Sequence, residues 1–91
     1  MEPNGVDALL AERGSRYGSF PVHAAITQNI KSAMEASPNW AKLAPDQREA
    51  LEMIAHKIGR ILNGDPDYDD SWDDIAGYAT LVFKRLNGYP I

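Results

Sequence analysis

Scarce cationic side chains give this sequence its first chemical signal. Arg13 and Arg16 lie within the stretch ERGSRYGSFP, residues 12–21, and Lys57 and Arg60 lie one helical turn apart later in the chain. The protein has 9 lysine and arginine residues against 13 aspartate and glutamate residues, which gives a net charge of −4. Guanidinium and ammonium groups donate charge-assisted hydrogen bonds to phosphate. We therefore expect these four residues to contact a phosphorylated ligand.

Aromatic side chains near these cations offer surfaces on which a nucleotide base can stack. Tyr17 directly follows Arg16, and Tyr78 shares a mixed stripe of the last predicted helix with Asp74. Each residue also has a structural interpretation, since a cation can solvate a helix end and Lys57 can pair with an acid. The predicted ligand-binding set comprises Arg13, Arg16, Tyr17, Lys57, Arg60, Trp72, Asp74 and Tyr78.

Two pairs of carboxylates have a spacing suited to a divalent cation. Glu49 and Glu52 form E-x-x-E, and Asp70 and Asp73 form D-x-x-D on the next predicted helix. Mg²⁺ prefers hard oxygen ligands and often binds substrate phosphate oxygens as well. The pattern resembles the E-x-x-E … E-x-x-D signature of the all-alpha, MazG-like nucleoside triphosphate pyrophosphohydrolases, and the resemblance is confined to residues 49–74. It implies Mg²⁺-dependent hydrolysis of a nucleotide, with these four acids as metal ligands.

Helical geometry favours a structural role for the same acids. At 100° per residue, Glu49 points away from the apolar stripe of the third predicted helix, and Glu52 lies well off that stripe. Asp70 is predicted to be the N-cap of the fourth helix and Asp73 its capping-box acid, and the helix dipole favours both. We therefore assign no metal or other cofactor, and Mg²⁺ belongs only to the hydrolase alternative.

Apolar periodicity and helix-ending residues predict four helices and no strand. Gly18, Pro38 and Pro66 separate the helices, and Asn4 or Asp7 is expected to cap the first one. The connections are short, which favours antiparallel neighbours in a compact, all-α, four-helix bundle. A chain of this length forms one domain, residues 1–91. The predicted helices span about residues 6–17, 21–36, 45–62 and 70–87.

Each of the last three predicted helices carries an apolar stripe that we expect to be buried. The fourth helix has a second, mixed stripe with Tyr78 and Leu81, and a chain this short has a small core, so we predict a homo-oligomer. The apolar stripes are Val22, Ile26, Ile30, Ala33 and Met34 on the second helix, Leu51, Ile54, Ile58, Ile61 and Leu62 on the third, and Trp72, Ile75, Ala79, Val82, Phe83 and Leu86 on the fourth.

Composition narrows the class of protein further. The absence of cysteine excludes a disulfide framework and any thiolate metal site. The N-terminal sequence MEPNGVDALL is unlike a signal peptide, and no apolar run is long enough to cross a bilayer, so we expect a cytoplasmic protein without membrane contact. The negative net charge argues against binding to duplex nucleic acid, because such binding depends on neutralising phosphates.

Three stretches resemble an uncharacterised family of short helical proteins from bacteriophages and prophages. They are ERGSRYGSF, ALEMIAHKIGRILNGDPDY and DSWDDIAGYATL, and they cover much of the chain. The resemblance implies a viral protein in the cytoplasm of a bacterial host, acting on nucleotides or against host defences. Within the shared pattern, Gly18 and Gly64 are expected to end helices, and Gly77 implies close approach of another helix or a ligand. The other shared positions are Arg13, Arg16, Tyr17, Lys57, Arg60, Asp70, Trp72, Asp74 and Tyr78.

Three functional hypotheses follow, and the sequence does not decide whether the protein is an enzyme. The first is a binder that sequesters a nucleotide or cyclic nucleotide, such as a host immune signal, without cleaving it. The second is the Mg²⁺-dependent pyrophosphohydrolase. The third is an inhibitor that presents the acidic segment DPDYDDSWDD, residues 65–74, to a host defence protein.

Overall fold

The computed structural model describes residues 5–91 and contains four α-helices, with no strand among these residues. A single 3₁₀ turn, Trp40–Lys42, lies between the second and third helices. The predicted all-helical, four-helix domain is confirmed, and each helix begins and ends within about one residue of its predicted position. The helices are α1 (Gly5–Tyr17), α2 (Phe20–Glu35), α3 (Pro45–Asn63) and α4 (Asp69–Leu86).

The helix ends follow the predicted residues in most places. Gly18 has a φ of 77°, a left-handed conformation that separates α1 from α2 without the strain another residue would incur. The prediction of Asp70 as N-cap of α4 was wrong, because Tyr68 holds that position and Asp70 lies in the first turn. Asp7 likewise lies inside the first turn of α1, and Asn4 lies outside the described residues.

Helix α3 forms the middle of the domain. Helices α2 and α4 both pack along it, and α1 contacts α2 and α3. The molecule measures 53 × 30 × 23 Å. This arrangement places the α1–α2 turn next to the α3–α4 turn.

The side chains buried between the helices are small or polar rather than large and apolar. Ala50 and Ala55 are the buried apolar residues among those described, and His23, Thr27 and Ser71 are buried with them. Gly59 allows α2 and α3 to approach closely, because a Cβ there would collide with the Thr27 hydroxyl.

Several predicted core residues are exposed instead. Leu62, Trp72 and Phe83 are 65%, 55% and 62% exposed, and Val22 and Leu86 are also exposed. The prediction of burial was wrong for these five side chains, and also for Ala33, Leu51 and Ala79, which are exposed as well. For Trp72, Phe83 and Leu86, the physical reason is that α3 covers a side of α4 that begins at Ser71, roughly a quarter of a turn from the stripe with the largest apolar side chains.

Candidate functional site

The turn between α1 and α2 is fixed directly to the turn between α3 and α4. The Asn63 side-chain amide donates to the backbone oxygens of Tyr17 (2.9 Å) and Ser19 (2.8 Å). The backbone N–H of Asp65 donates to the Arg16 oxygen at 2.8 Å. A Cβ at Gly64 would collide with that same oxygen, so only glycine permits this approach. We call this contact the turn junction.

Stacked cations and aromatic rings extend the turn junction toward α3. The Arg60 guanidinium lies 4.1 Å from the centroid of the Tyr17 ring, and the Arg16 guanidinium lies 4.5 Å from the Tyr68 ring. The two tyrosine rings are 6.0 Å apart and tilted by 56°. These contacts order the four side chains as Arg60, Tyr17, Tyr68 and Arg16, with the two rings between the two cations. The Tyr68 hydroxyl donates to Asp70 at 2.8 Å, which raises the pKa of that hydroxyl above its usual value.

Two histidines lie where α2 crosses α3. The His23 Nε2 atom is 3.0 Å from the backbone oxygen of His56, and we assign the proton to Nε2 because a carbonyl only accepts. The two rings meet edge to face with centroids 4.6 Å apart. Burial is the largest cause that lowers the pKa of His56, and the nearby charges of Arg60 and Lys57 act in the same direction, so that the pKa is about 4. His56 is therefore neutral at pH 7.

A groove of about 810 Å³ runs between α1, α2 and the C-terminal half of α3. Its polar lining includes Arg13, Tyr17 and Arg60, and none of the residues that line it is acidic. Within residues 5–91 the ion pairs are Lys57–Asp74 and Arg85–Asp46, so neither groove arginine is neutralised by an acid of that range. We call this feature the cationic groove; its remaining walls include Leu9, Leu10, Phe20, His23 and His56.

The structure brings three members of the predicted ligand-binding set into the cationic groove and places the others elsewhere. Arg13, Tyr17 and Arg60 line it, while Arg16 lies beside it in the turn junction. The remaining four lie on α3 or α4, outside the lining: Lys57, Trp72, Asp74 and Tyr78.

Lys57 and Asp74 form an ion pair that joins α3 to α4. Their charged atoms are 2.9 Å apart, and the Lys57 side chain is 10% exposed while that of Asp74 is 46% exposed. The ammonium group is thus held by a carboxylate rather than directed at the cationic groove. Trp72 also has a structural contact, because its indole N–H donates to the Pro66 oxygen at 2.8 Å.

The four acids of the hydrolase alternative do not form a joint cluster. Among residues 5–91, no group of three or more histidine, aspartate and glutamate side chains is placed to hold a metal ion. Glu49 is exposed on α3, and Asp70 accepts the hydroxyl of Tyr68. The other two candidates are Glu52 on α3 and Asp73 on α4.

Gly77 lacks the close neighbour that its position predicted. A Cβ added to it would meet no atom within 4 Å, so no helix of residues 5–91 approaches it there.

Sequence reasoning missed four residues that build the site. Asn63 precedes the helix-ending Gly64 and carries no other signal in the sequence, because its bonds join residues more than forty positions apart in the chain. Gly59 lies inside an uninterrupted helical pattern, where an isolated glycine is a usable signal of close packing. Tyr68 and His56 carry no local signal, because their roles depend on partners from other helices.

Comparison of the chain with protein-family models, with curated proteins and with solved structures found no match in any of the three. No helix in the part of the chain that the structure describes is long and apolar enough to cross a membrane.

Proposed function

We propose that this protein is a phage-type accessory protein that binds and sequesters a nucleotide or cyclic nucleotide without cleaving it. The observation that carries the proposal is the lining of the cationic groove, which contains two arginines and two histidines but no acid, in a protein whose net charge is −4. Positive charge concentrated in one concave site of an acidic protein favours an anionic ligand.

The cationic groove has the two kinds of surface that a nucleotide requires. Arg13 and Arg60 can donate to phosphate oxygens, and Arg60 is already oriented by its stacking on Tyr17. Leu9, Leu10 and Phe20 supply apolar and aromatic area for a base. The volume of about 810 Å³ lies within the range of about 300–1,000 Å³ that small-molecule sites occupy.

Binding is favoured over hydrolysis by the chemistry of the lining. Hydrolysis of a phosphoanhydride needs groups that hold a metal ion or orient a water beside the phosphate, and carboxylates usually do so. The residues that line the cationic groove include no carboxylate. The predicted acids Glu49, Glu52, Asp70 and Asp73 are absent from that lining.

The proposal is tested by incubating the full chain with Mg²⁺ and a panel of nucleoside triphosphates, cyclic mononucleotides and cyclic dinucleotides. After removal of unbound material, mass spectrometry identifies what the protein retains and what has been converted. We expect at least one nucleotide to be retained intact and released on denaturation. Conversion to a monophosphate would instead support the pyrophosphohydrolase, and neither retention nor conversion would contradict the proposal and leave the partner-inhibitor hypothesis.

A further inference from the structure

Helix α4 has two apolar stripes, and α3 covers one of them. The covered stripe begins at the buried Ser71 and continues through Ile75 and Val82, which are half-buried. The second stripe lies about 100° round the helix and repeats at alternating spacings of four and three residues. All five of its members are exposed: Trp72, Ala76, Ala79, Phe83 and Leu86.

The uncovered stripe of α4 continues onto α3. A shallow pocket of about 290 Å³ is lined by Ala79 of α4 together with Leu51 and Ile54 of α3. Leu51 is exposed, as is Leu62 three turns later in the same apolar stripe of α3. We call the combined surface the open face, and it consists of Leu51, Ile54, Leu62, Trp72, Ala76, Ala79, Phe83 and Leu86.

The total accessible surface is too large for a compact monomer of this size. The chain exposes 6394 Å² at a mass of 10.0 kDa. Monomeric proteins of that mass expose about 5,200 Å², so the surplus is roughly 1,200 Å². A standard interface buries about 800 Å² on each partner. The surplus, to which α1 with no buried residue also contributes, is at least as large as one partner's share of such an interface.

The charges along α4 favour an antiparallel partner helix. Asp69 and Asp73 lie in the first turns of α4 beside the uncovered stripe, and Lys84 lies in the last turn on the same flank. If a second α4 crosses at Ala79, the middle of the stripe, each acidic end meets Lys84 of the partner subunit. A twofold axis at this point makes the contact self-complementary, and the small Ala76 and Ala79 side chains permit close approach.

From these observations we propose that the open face is the interface of a homodimer, in which α4 packs antiparallel on α4 of a second copy. Trp72 and Phe83 provide the large apolar contacts at either side of the central alanines. No residue of the open face lines the cationic groove, so the dimer leaves that groove accessible. The interface is therefore independent of the proposed nucleotide binding and can be tested separately.

The first test compares the mass of the full chain with that of two glutamine variants by light scattering after size exclusion. The parent is expected at about 20 kDa, twice the mass of one chain. Phe83→Gln removes one large contact from each subunit and should weaken the dimer at least a hundredfold, giving a species near 10 kDa at micromolar concentration. Leu81→Gln changes an exposed leucine of the same helix outside the open face and should remain dimeric. A parent of about 10 kDa at all concentrations up to 100 μM overturns the proposal.

A second test uses crosslinking, which does not depend on the variants keeping their stability. The protein has no cysteine, so a single introduced thiol reports one position. Ala79→Cys places the thiol at the proposed twofold axis and should form a disulfide-linked dimer under mild oxidation. Leu81→Cys should remain largely uncrosslinked, because it lies on another side of α4. Crosslinking of Leu81→Cys but not of Ala79→Cys overturns the assignment of the open face. A Phe83→Gln variant that remains dimeric in light scattering overturns it as well.

Discussion

The turn junction and the open face differ in how completely their residues are covered by the rest of the chain. At the junction, Asn63 and two glycines bring into direct contact two backbone segments that lie more than forty residues apart in the chain. At the open face, large apolar side chains such as Trp72 and Phe83 lie in solvent, with no helix of residues 5–91 above them. The turn junction is thus fixed by contacts within one chain, whereas the open face stays exposed in one chain, as the proposed homodimer requires.

Breaking the turn junction should have the largest effect on the free energy of unfolding. Gly64→Val places a side chain against the Arg16 oxygen and the Tyr17 backbone, neither of which can move without separating α1 from α3. We expect a loss of about 3 kcal/mol in the free energy of unfolding, measured by urea denaturation. The matched control is Gly77→Ala, which has open space around it in α4 and should stabilise the helix by about 0.5–1 kcal/mol. Equal effects of the two substitutions would contradict the account of the junction.

Breaking the ion pair between α3 and α4 should have an intermediate effect on stability. It tests a contact that belongs to neither the turn junction nor the open face. Asp74→Asn leaves the ammonium group of Lys57 buried without a counter-charge. Because Asp74 is partly exposed, we expect a loss of about 1–2 kcal/mol rather than the full cost for a buried pair. Lys57→Met should cost less, since it removes the buried charge and keeps the apolar stem. Thermal melts of both variants and of the double variant measure which substitution costs more stability. A larger loss for Lys57→Met than for Asp74→Asn would contradict this account of the ion pair.

The smallest effect concerns acid sensitivity at the wall of the cationic groove. The pKa of His56 is about 4 in the folded protein and near its ordinary 6.5 in the unfolded chain. Between those values the unfolded chain binds a proton that the folded protein does not, so stability should fall as the pH drops from 6.5 toward 4. Above about pH 7.5 the residue is neutral in both states and contributes no pH dependence.

Unfolding by urea at pH 7 and pH 5 checks this prediction. His56→Gln should lose less stability between the two pH values than the parent does. A difference between pH 7 and pH 5 that is the same in both proteins would show that His56 is not responsible.

The sequence predicts the helices well because their signals are local. Gly18 and Pro21 mark the first turn, and apolar periodicity defines α3 and α4 within about one residue. The same periodicity places Phe83 on the apolar face of α4. It does not reveal whether this chain or another chain covers that side chain.

The site is predicted only in part for a related reason. Arg13, Tyr17 and Arg60 were selected by residue type and position and do line one groove. Lys57 was selected by the same reasoning, yet a tertiary partner, Asp74, holds its charge. Whether a cationic side chain faces the groove or an acidic partner depends on pairing between distant residues, and no local sequence pattern encodes that pairing.

The central claim, that the cationic groove binds a nucleotide through its arginines, is tested most directly by isothermal titration of four proteins with the retained nucleotide. These are the parent, Arg13→Met, Arg60→Met and the control Lys42→Met, whose lysine lies in the 3₁₀ turn, outside both the cationic groove and the open face. Each charged hydrogen bond should contribute about 1.5–3 kcal/mol, so each groove variant should bind at least about tenfold more weakly. Lys42→Met should bind as the parent does. Unchanged affinity in both groove variants, with all four proteins folded, would contradict the claim.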